Sequence, residues 1–367
     1  MLYSFVPYIE PHKTNFDKLF SVFRELILYT SGDVDEALEW LEELNNQYQI
    51  AEPEYSMDDF VEELKKRGFL REEIPTPGGL SKSVISEKTE RLLRRHAMEK
   101  IFGKLKKSGR GNHRTSYSGA GGDEADGTRP YRFGDAPEQI DMQRSLHNAM
   151  VRGGVEQPGL LSQDLEVRDR YHQSSVATVL MIDISHSMIL YGEDRITPAK
   201  QVALALSELI TTRYPKDALD IIVFGNDAWP VSLRELPYLQ VGPYHTNTVA
   251  GLELAMNILS RKRNSNKQIM MITDGKPSCL KEADGTYYKN SVGLDEYIVS
   301  KCLHKAVECK KMGIPITTFM IAKDPYLMQF IDQFSKVNGG RALFTGLNGL
   351  GEILFHDYEN NRKRKNS

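Results

Sequence analysis

Several things are scarce in this chain, and each scarcity removes a class of protein. Its 367 residues hold three cysteines, Cys279, Cys302 and Cys309. An odd number without metal-finger spacing excludes a disulfide scaffold or a zinc ribbon, and reduced thiols of this kind predict a cytoplasmic protein. Charge of one sign is also lacking: the formal net charge is −3, which supplies no bulk attraction to nucleic acid. No apolar run approaches the roughly 20 residues of a membrane helix. The first ten residues lack the charged-then-apolar pattern of a signal peptide, and Pro7 interrupts them. Phosphate-binding Gly-x-x-x-x-Gly-Lys-[Ser/Thr] and nucleophile-elbow Gly-x-Ser-x-Gly motifs are both missing, which argues against a P-loop ATPase and a serine hydrolase.

What is present suffices for a large core, since 40% of the residues are hydrophobic. Residues 1–105 read as a helical N-terminal domain. Capping patterns at Thr14-Asn15-Phe16-Asp17 and Ser56-x-x-Asp59 open the first and third helices, a second runs from Asp33 to about Asn46, and a basic helix runs from about Ser86 to Leu105 after a Pro/Gly break at 74–79. Residues 106–130, rich in glycine, serine and charge, read as a flexible linker because they bury too little to offset ordering entropy. Residues 131–172 read as a helix and an edge strand, an extension docked on the α/β region C-terminal to it. From 173 to 357 strands and helices alternate, predicting an α/β fold with a doubly wound, mostly parallel sheet flanked by helices. A basic tail, 358–367, ends the chain. The cations Arg91, Arg94, Arg95, Lys100, Lys104, Lys106, Lys107 and Arg110, like Arg362-Lys363-Arg364-Lys365, read foremost as solvated faces.

The informative stretch is Val176–Met188. A dense aliphatic run reads as a strand buried on both faces, and it ends in Asp183-x-Ser185-x-Ser187 at the carboxyl end, where open α/β sheets place ligands. A second buried strand, 268–273, ends in Asp274-Gly275-Lys276-Pro277, and Tyr244-His245-Thr246-Asn247-Thr248 precedes a helix. If the two strands are neighbours, Asp183 and Asp274 converge, with Thr246 alongside. Two carboxylates and three hydroxyls suit Mg²⁺ or Mn²⁺, and waters can fill an octahedral shell. Neutral hydroxyls leave such an ion attractive to one more carboxylate from outside.

Those three motifs, in this order and spacing, resemble the metal-ion-dependent adhesion site of von Willebrand factor type A (VWA) domains. The chain looks closest to bacterial intracellular members, including the type A domain of magnesium-chelatase D-type subunits and partners of MoxR-type AAA+ ATPases. The resemblance implies Asp183, Ser185, Ser187, Thr246 and Asp274 as metal ligands. It also implies a non-enzymatic, Mg²⁺-dependent module that docks an acidic residue of a MoxR-type ATPase or of its substrate. His186 stands where many members carry glycine. Two other readings compete: a metal-dependent hydrolase with His186 or His245 as base, and an acidic-surface or nucleic-acid scaffold built on the basic helix 91–110, which lacks base-stacking aromatics.

Overall fold

A computed structural model of the chain describes residues 14–73, 82–102, 118–133, 135, 137–154, 159–171 and 175–363, apart from 193, 243, 275, 291, 321–323 and 345–349. The Pro/Gly break at 74–79, the linker up to 117, Gly275 and the end of the basic tail lie outside these residues. Three capped helices come first: α1 (Asn15–Tyr29), α2 (Val34–Tyr48) and α3 (Met57–Lys66). Thr14 and Ser56 each close a capping box with the aspartate three residues on, and Asp33 accepts from two amides at the head of α2. A short antiparallel hairpin comes next, β1 (Leu70–Glu73) with β2 (Lys82–Ile85), and then α4 (Glu87–Phe102).

The expected linker is partly structured. Ser118–Pro130 forms β3, paired antiparallel with β4 (Glu166–Tyr171). Ladder hydrogen bonds come from the backbone, so a segment poor in large apolar side chains can still be a strand. Between these strands lies α5 (Met142–Gly153), capped by Asp141, and the Arg152 guanidinium grips the Asp164 carboxylate at 2.9 and 2.8 Å. Residues 108–175 and 360–367 make one compact unit.

The α/β region runs β5 (Val176–Asp183), α6 (Ile196–Arg213), β6 (Ala218–Phe224), β7 (Ala228–Val231), α7 (Thr248–Ser260), β8 (Asn266–Thr273), β9 (Cys279–Lys281), β10 (Tyr287–Lys289), α8 (Glu296–Lys311), β11 (Ile316–Met320), α9 (Pro325–Asn338), β12 (Arg341–Phe344) and α10 (Leu350–Lys363). Six strands form one sheet in the order β12-β11-β8-β5-β6-β7, parallel except for the antiparallel edge β7. Strand alternation splits the core. Leu180, Ile182, Val223, Met270 and Ile272 pack with α6 and α10, whereas Val179, Met181, Phe224, Ile269 and Met271 pack with α7, α8 and α9.

The helical N-terminal region is a further layer of this structure rather than a domain of its own. Residues up to 107 and 176–359 form one compact unit, and Phe23, Phe60 and Leu93 belong to the same apolar core as α6 and α10. Phe102 meets the Phe355 ring at 4.9 Å. Local periodicity reveals that a helix has an apolar face but not which surface covers it, hence the misplaced boundary. The tail boundary also moves: α10 continues past 357, and the fully buried Tyr358 donates its hydroxyl to Asp217 at 2.6 Å.

Candidate metal centre

The sheet order makes β5 and β8 neighbours, and the connection after β5 leads to β6 on one side while that after β8 leads to β11 on the other. Oppositely directed connections open a crevice at the strands' carboxyl ends. Asp183 stands there, the last residue of a strand buried at every position. Its Oδ1 accepts from the Ser185 amide at 2.9 Å, a local turn that folds the loop over the strand end. Its Oδ2 accepts the Thr273 hydroxyl at 2.7 Å, so the end of β8 touches it directly. The Ser185 and Ser187 hydroxyl oxygens lie 3.0 Å apart.

The second loop is stitched to the first. His186 donates its amide to the Tyr244 carbonyl (3.1 Å) and Gly242 to that of Ile184 (3.2 Å). The Tyr244 side chain lies against Gly225 and Gly242, so closely that a Cβ on Gly225 would come within 2.7 Å of the Tyr244 Cβ. Thr246 is buried; its amide donates to the Ser278 hydroxyl at 3.1 Å, and its carbonyl accepts from the amides of Ser278 (2.9 Å) and Cys279 (3.2 Å). These contacts use backbone atoms and leave the Thr246 hydroxyl unengaged among the described hydrogen bonds. Asn247 caps α7 through Ala250.

Asp274, almost fully buried, completes the set. Its Oδ2 lies 3.9 Å from the Arg195 guanidinium at the head of α6. Burial and the charge of Asp274 push the Asp183 carboxyl up to about 7. Two carboxylates so placed repel each other in a low dielectric, and a divalent cation between them would offset both causes of that rise by stabilising the charged forms. Among the described residues no three His, Cys, Asp or Glu side chains cluster as metal donors. Two carboxylates among hydroxyls are hard oxygen donors, which suit an ion such as Mg²⁺ better than zinc.

Of the five expected residues, Asp183, Ser185 and Ser187 are joined by direct hydrogen bonds. Asp274 adjoins Asp183 through Thr273, and Thr246 joins the Asp274 loop through Ser278. Thr273, Ser278 and Arg195 are participants that motif reasoning did not select. Thr273 closes the buried strand 268–273 just ahead of the Asp274 motif, but Arg195 carried no local signal. His186 is exposed. His245 is held below its ordinary value by burial first, then by Lys289 and Lys276. The remaining cysteines are structural: Cys302 and Cys309 are buried in the core, and burial drives both thiols up to about 12.

Known proteins bear on this arrangement. Residues 176–359 match the family model described as "Rv0959-like protein, vWA domain", and residues 123–170 match that of the third domain of the same proteins. Rv0959 of Mycobacterium tuberculosis and Mb0984 of Mycobacterium bovis are each 32% identical over 289 residues, covering 76% of this chain. The chain spans 42% of the length of those relatives. Among solved structures, the SpRpn10 VWA domain aligns with 50% of this chain and 95% of its own (17% identity, TM-score 0.37). The vWF domain of the pilus tip protein Mfa5 from Porphyromonas gingivalis aligns with 53% and 99% (12% identity, TM-score 0.42). With its parallel sheet, its Asp183 loop at the switch point and the match across 176–359, the chain belongs to the Rv0959-like family of von Willebrand factor type A domain proteins.

Proposed function

We propose that the type A domain of this chain is a non-enzymatic, Mg²⁺-dependent protein-binding module. Asp183, Ser185, Ser187, Thr246 and Asp274 would hold the ion, with Mn²⁺ as an acceptable substitute. The bound ion supplies an electrophilic point for an acidic residue of a partner. One observation carries the reading: two buried carboxylates come off adjacent strand ends among hydroxyls. Two carboxylates neutralise a divalent ion without saturating it, and a partner carboxylate would complete the shell.

The partner class rests on the resemblance to chelatase-type and MoxR-associated type A domains: a MoxR-type AAA+ ATPase or its substrate, with this chain as adaptor. No helix among the described residues is long and apolar enough to cross a membrane. The basic helix supports the adaptor reading over a nucleic-acid scaffold, because several of its cations are already engaged. Arg94 faces Glu208 at 3.5 Å, Arg95 faces Glu99 at 3.2 Å, and Lys100 faces Glu25 at 2.7 Å.

Calorimetric titration of the intact chain with MgCl₂ and MnCl₂ tests the ion. The wild type should bind one equivalent, and Asp183→Ala or Asp274→Ala should weaken binding at least about tenfold while circular dichroism stays unchanged. Equal binding by the double variant would sink the site. Affinity purification of wild type beside Asp183→Ala, with ATP and Mg²⁺ present, tests the partner; recovery of the same proteins on both would sink metal-dependent docking.

A further inference from the structure

A hairpin stands between the Asp274 loop and α8, and nothing in the sheet requires it. β9 and β10 pair antiparallel, with Cys279 opposite Lys289 and Lys281 opposite Tyr287. The root is tied to the metal loop: the amides of Ser278 and Cys279 donate to Thr246, and the Asn290 amide donates to Ser278 at 2.9 Å. The far end reaches the turn between β6 and β7, where the Tyr287 hydroxyl and the Lys281 ammonium (2.9 Å) both engage Asp227. The other face is held by Asp295 at the head of α8, which accepts from the Tyr288 hydroxyl at 3.0 Å and Asn290 at 3.1 Å. A surface braced at three places loses little freedom when a partner settles on it.

Strand alternation puts Lys281, Tyr287 and Lys289 on one face. Lys281 is committed to Asp227. Lys289 is exposed, sits 5.7 Å from the centre of the Tyr287 ring, and has no carboxylate partner among the described residues. It lies at the root of the hairpin, opposite Cys279, whose amide donates to the Thr246 carbonyl of the metal loop at 3.2 Å. An exposed tyrosine under an unpaired ammonium offers an acidic segment an anchoring ring and a counter-charge.

We propose that this hairpin is a second docking point that selects an acidic peptide segment, one carboxylate going to the metal site and a neighbouring carboxylate pairing with Lys289 above Tyr287. The assignment rests on the metal-site reading and deepens it, because it states what flanks the residue that the ion receives. An acidic peptide is favoured over a nucleic acid by continuity: the same ligand class satisfies the ion and the lysine.

The test uses fluorescein-labelled Gly/Ser peptides carrying either one glutamate or a run of glutamates, titrated with the intact chain and Mg²⁺ at low salt. The run should bind more tightly than the single glutamate. Lys289→Glu should weaken the run about tenfold and Lys289→Ala about threefold, as expected for a partly exposed ion pair and its reversal. Both variants should leave the single-glutamate peptide and the calorimetric Mg²⁺ affinity unchanged. The proposal is overturned if neither peptide binds, if Lys289→Glu leaves the run unaffected, or if a labelled single-stranded oligonucleotide binds more tightly than the run and is lost with Lys289→Glu. Ion binding kept alongside Lys289-independent peptide binding would remove the hairpin alone. Lys289-dependent peptide binding without any ion binding by the wild type would remove the metal-site reading alone.

Discussion

Lys200 offers the sharpest thermodynamic test of how the helical layer is fastened to the α/β core. The residue lies on α6 and is fully buried. Its ammonium donates to the Leu28 carbonyl in the last turn of α1 (2.8 Å), to the Ser31 hydroxyl in the α1–α2 connection (3.2 Å) and to the Leu239 carbonyl (3.1 Å). Burial lowers it from 10.5 to about 8, with Asp194 opposing. A base depressed by that much costs roughly 3 kcal/mol below pH 8, where both folded and unfolded chains are protonated. Between 8 and 10.5 the unfolded chain binds more protons, so this contribution to stability rises with pH, and the cost is gone above 10.5.

Lys200→Met keeps most of the buried stem and removes the charge. It also strands the Leu28 carbonyl, at about 1–3 kcal/mol, whereas Leu239 keeps the Ser31 hydroxyl at 3.2 Å. The two effects nearly cancel at pH 7, so the variant should lie within about 1 kcal/mol of wild type there and be roughly 2–3 kcal/mol less stable at pH 10.5. Lys200→Ala adds loss of the stem and should be about 2 kcal/mol less stable already at pH 7. Urea unfolding monitored by tryptophan fluorescence reads this, since Trp40 and Trp229 both lie in that unit. Comparing wild type with methionine at each pH cancels the titration of every other group. A pH-independent difference, or one in which wild type loses ground as pH rises, would refute the argument.

Other outcomes come from the same geometry. Glu25 is pulled down to about 2, foremost by its hydrogen bond with His96 and further by Lys100. Glu25→Gln should therefore cost roughly 1–2 kcal/mol at pH 7, with the gap closing as pH falls from 4.5 towards 2 in urea titrations. Gly340→Ala would drive a Cβ into the Ile316 carbonyl and should cost more than about 2 kcal/mol, read as a shifted urea midpoint. Gly242→Ala would collide with the Tyr244 ring; the expected result is a folded chain whose Mg²⁺ affinity, by calorimetry, is down about tenfold through the displaced 244–246 segment. Saturating Mg²⁺ should raise the thermal midpoint of wild type and leave that of Asp183→Ala in place.

Why some of this was legible and some was not is a matter of range. β5 and β8 announce themselves because strands buried on both faces carry dense aliphatic runs, and Asp183 and Asp274 stand out by following those runs. Caps at Thr14 and Ser56 are contacts over three residues, so residue type alone exposes them. The hairpins Leu70–Glu73/Lys82–Ile85 and Cys279–Lys281/Tyr287–Lys289 have strands of four and three residues, too short to show alternation. Arg195 and Lys200 take their roles from residues far along the chain, Asp274 for one and Leu28 and Leu239 for the other. No local pattern encodes such a meeting.

The candidate site depends in the end on register. Ile182 pairs with Ile272, which sets Asp183 level with Thr273 and leaves Asp274 one residue beyond the strand. A slip of one residue would turn every side chain of β8 to the opposite face and carry the Thr273 hydroxyl away from Asp183. Two buried polar contacts resist that slip from opposite ends: the Gln268 amide donates to the Thr178 hydroxyl at 2.9 Å, and the Thr273 hydroxyl donates to Asp183 at 2.7 Å. Hydrophobic packing is indifferent to exchanges among Ile269, Met270, Met271 and Ile272, whose volumes are similar. Specification of the register therefore falls to Thr178, Gln268 and Thr273, polar residues inside otherwise apolar strands. Gln268 is thus as much a part of the site as the loops are, because it fixes from the far end of the strand where Asp274 emerges.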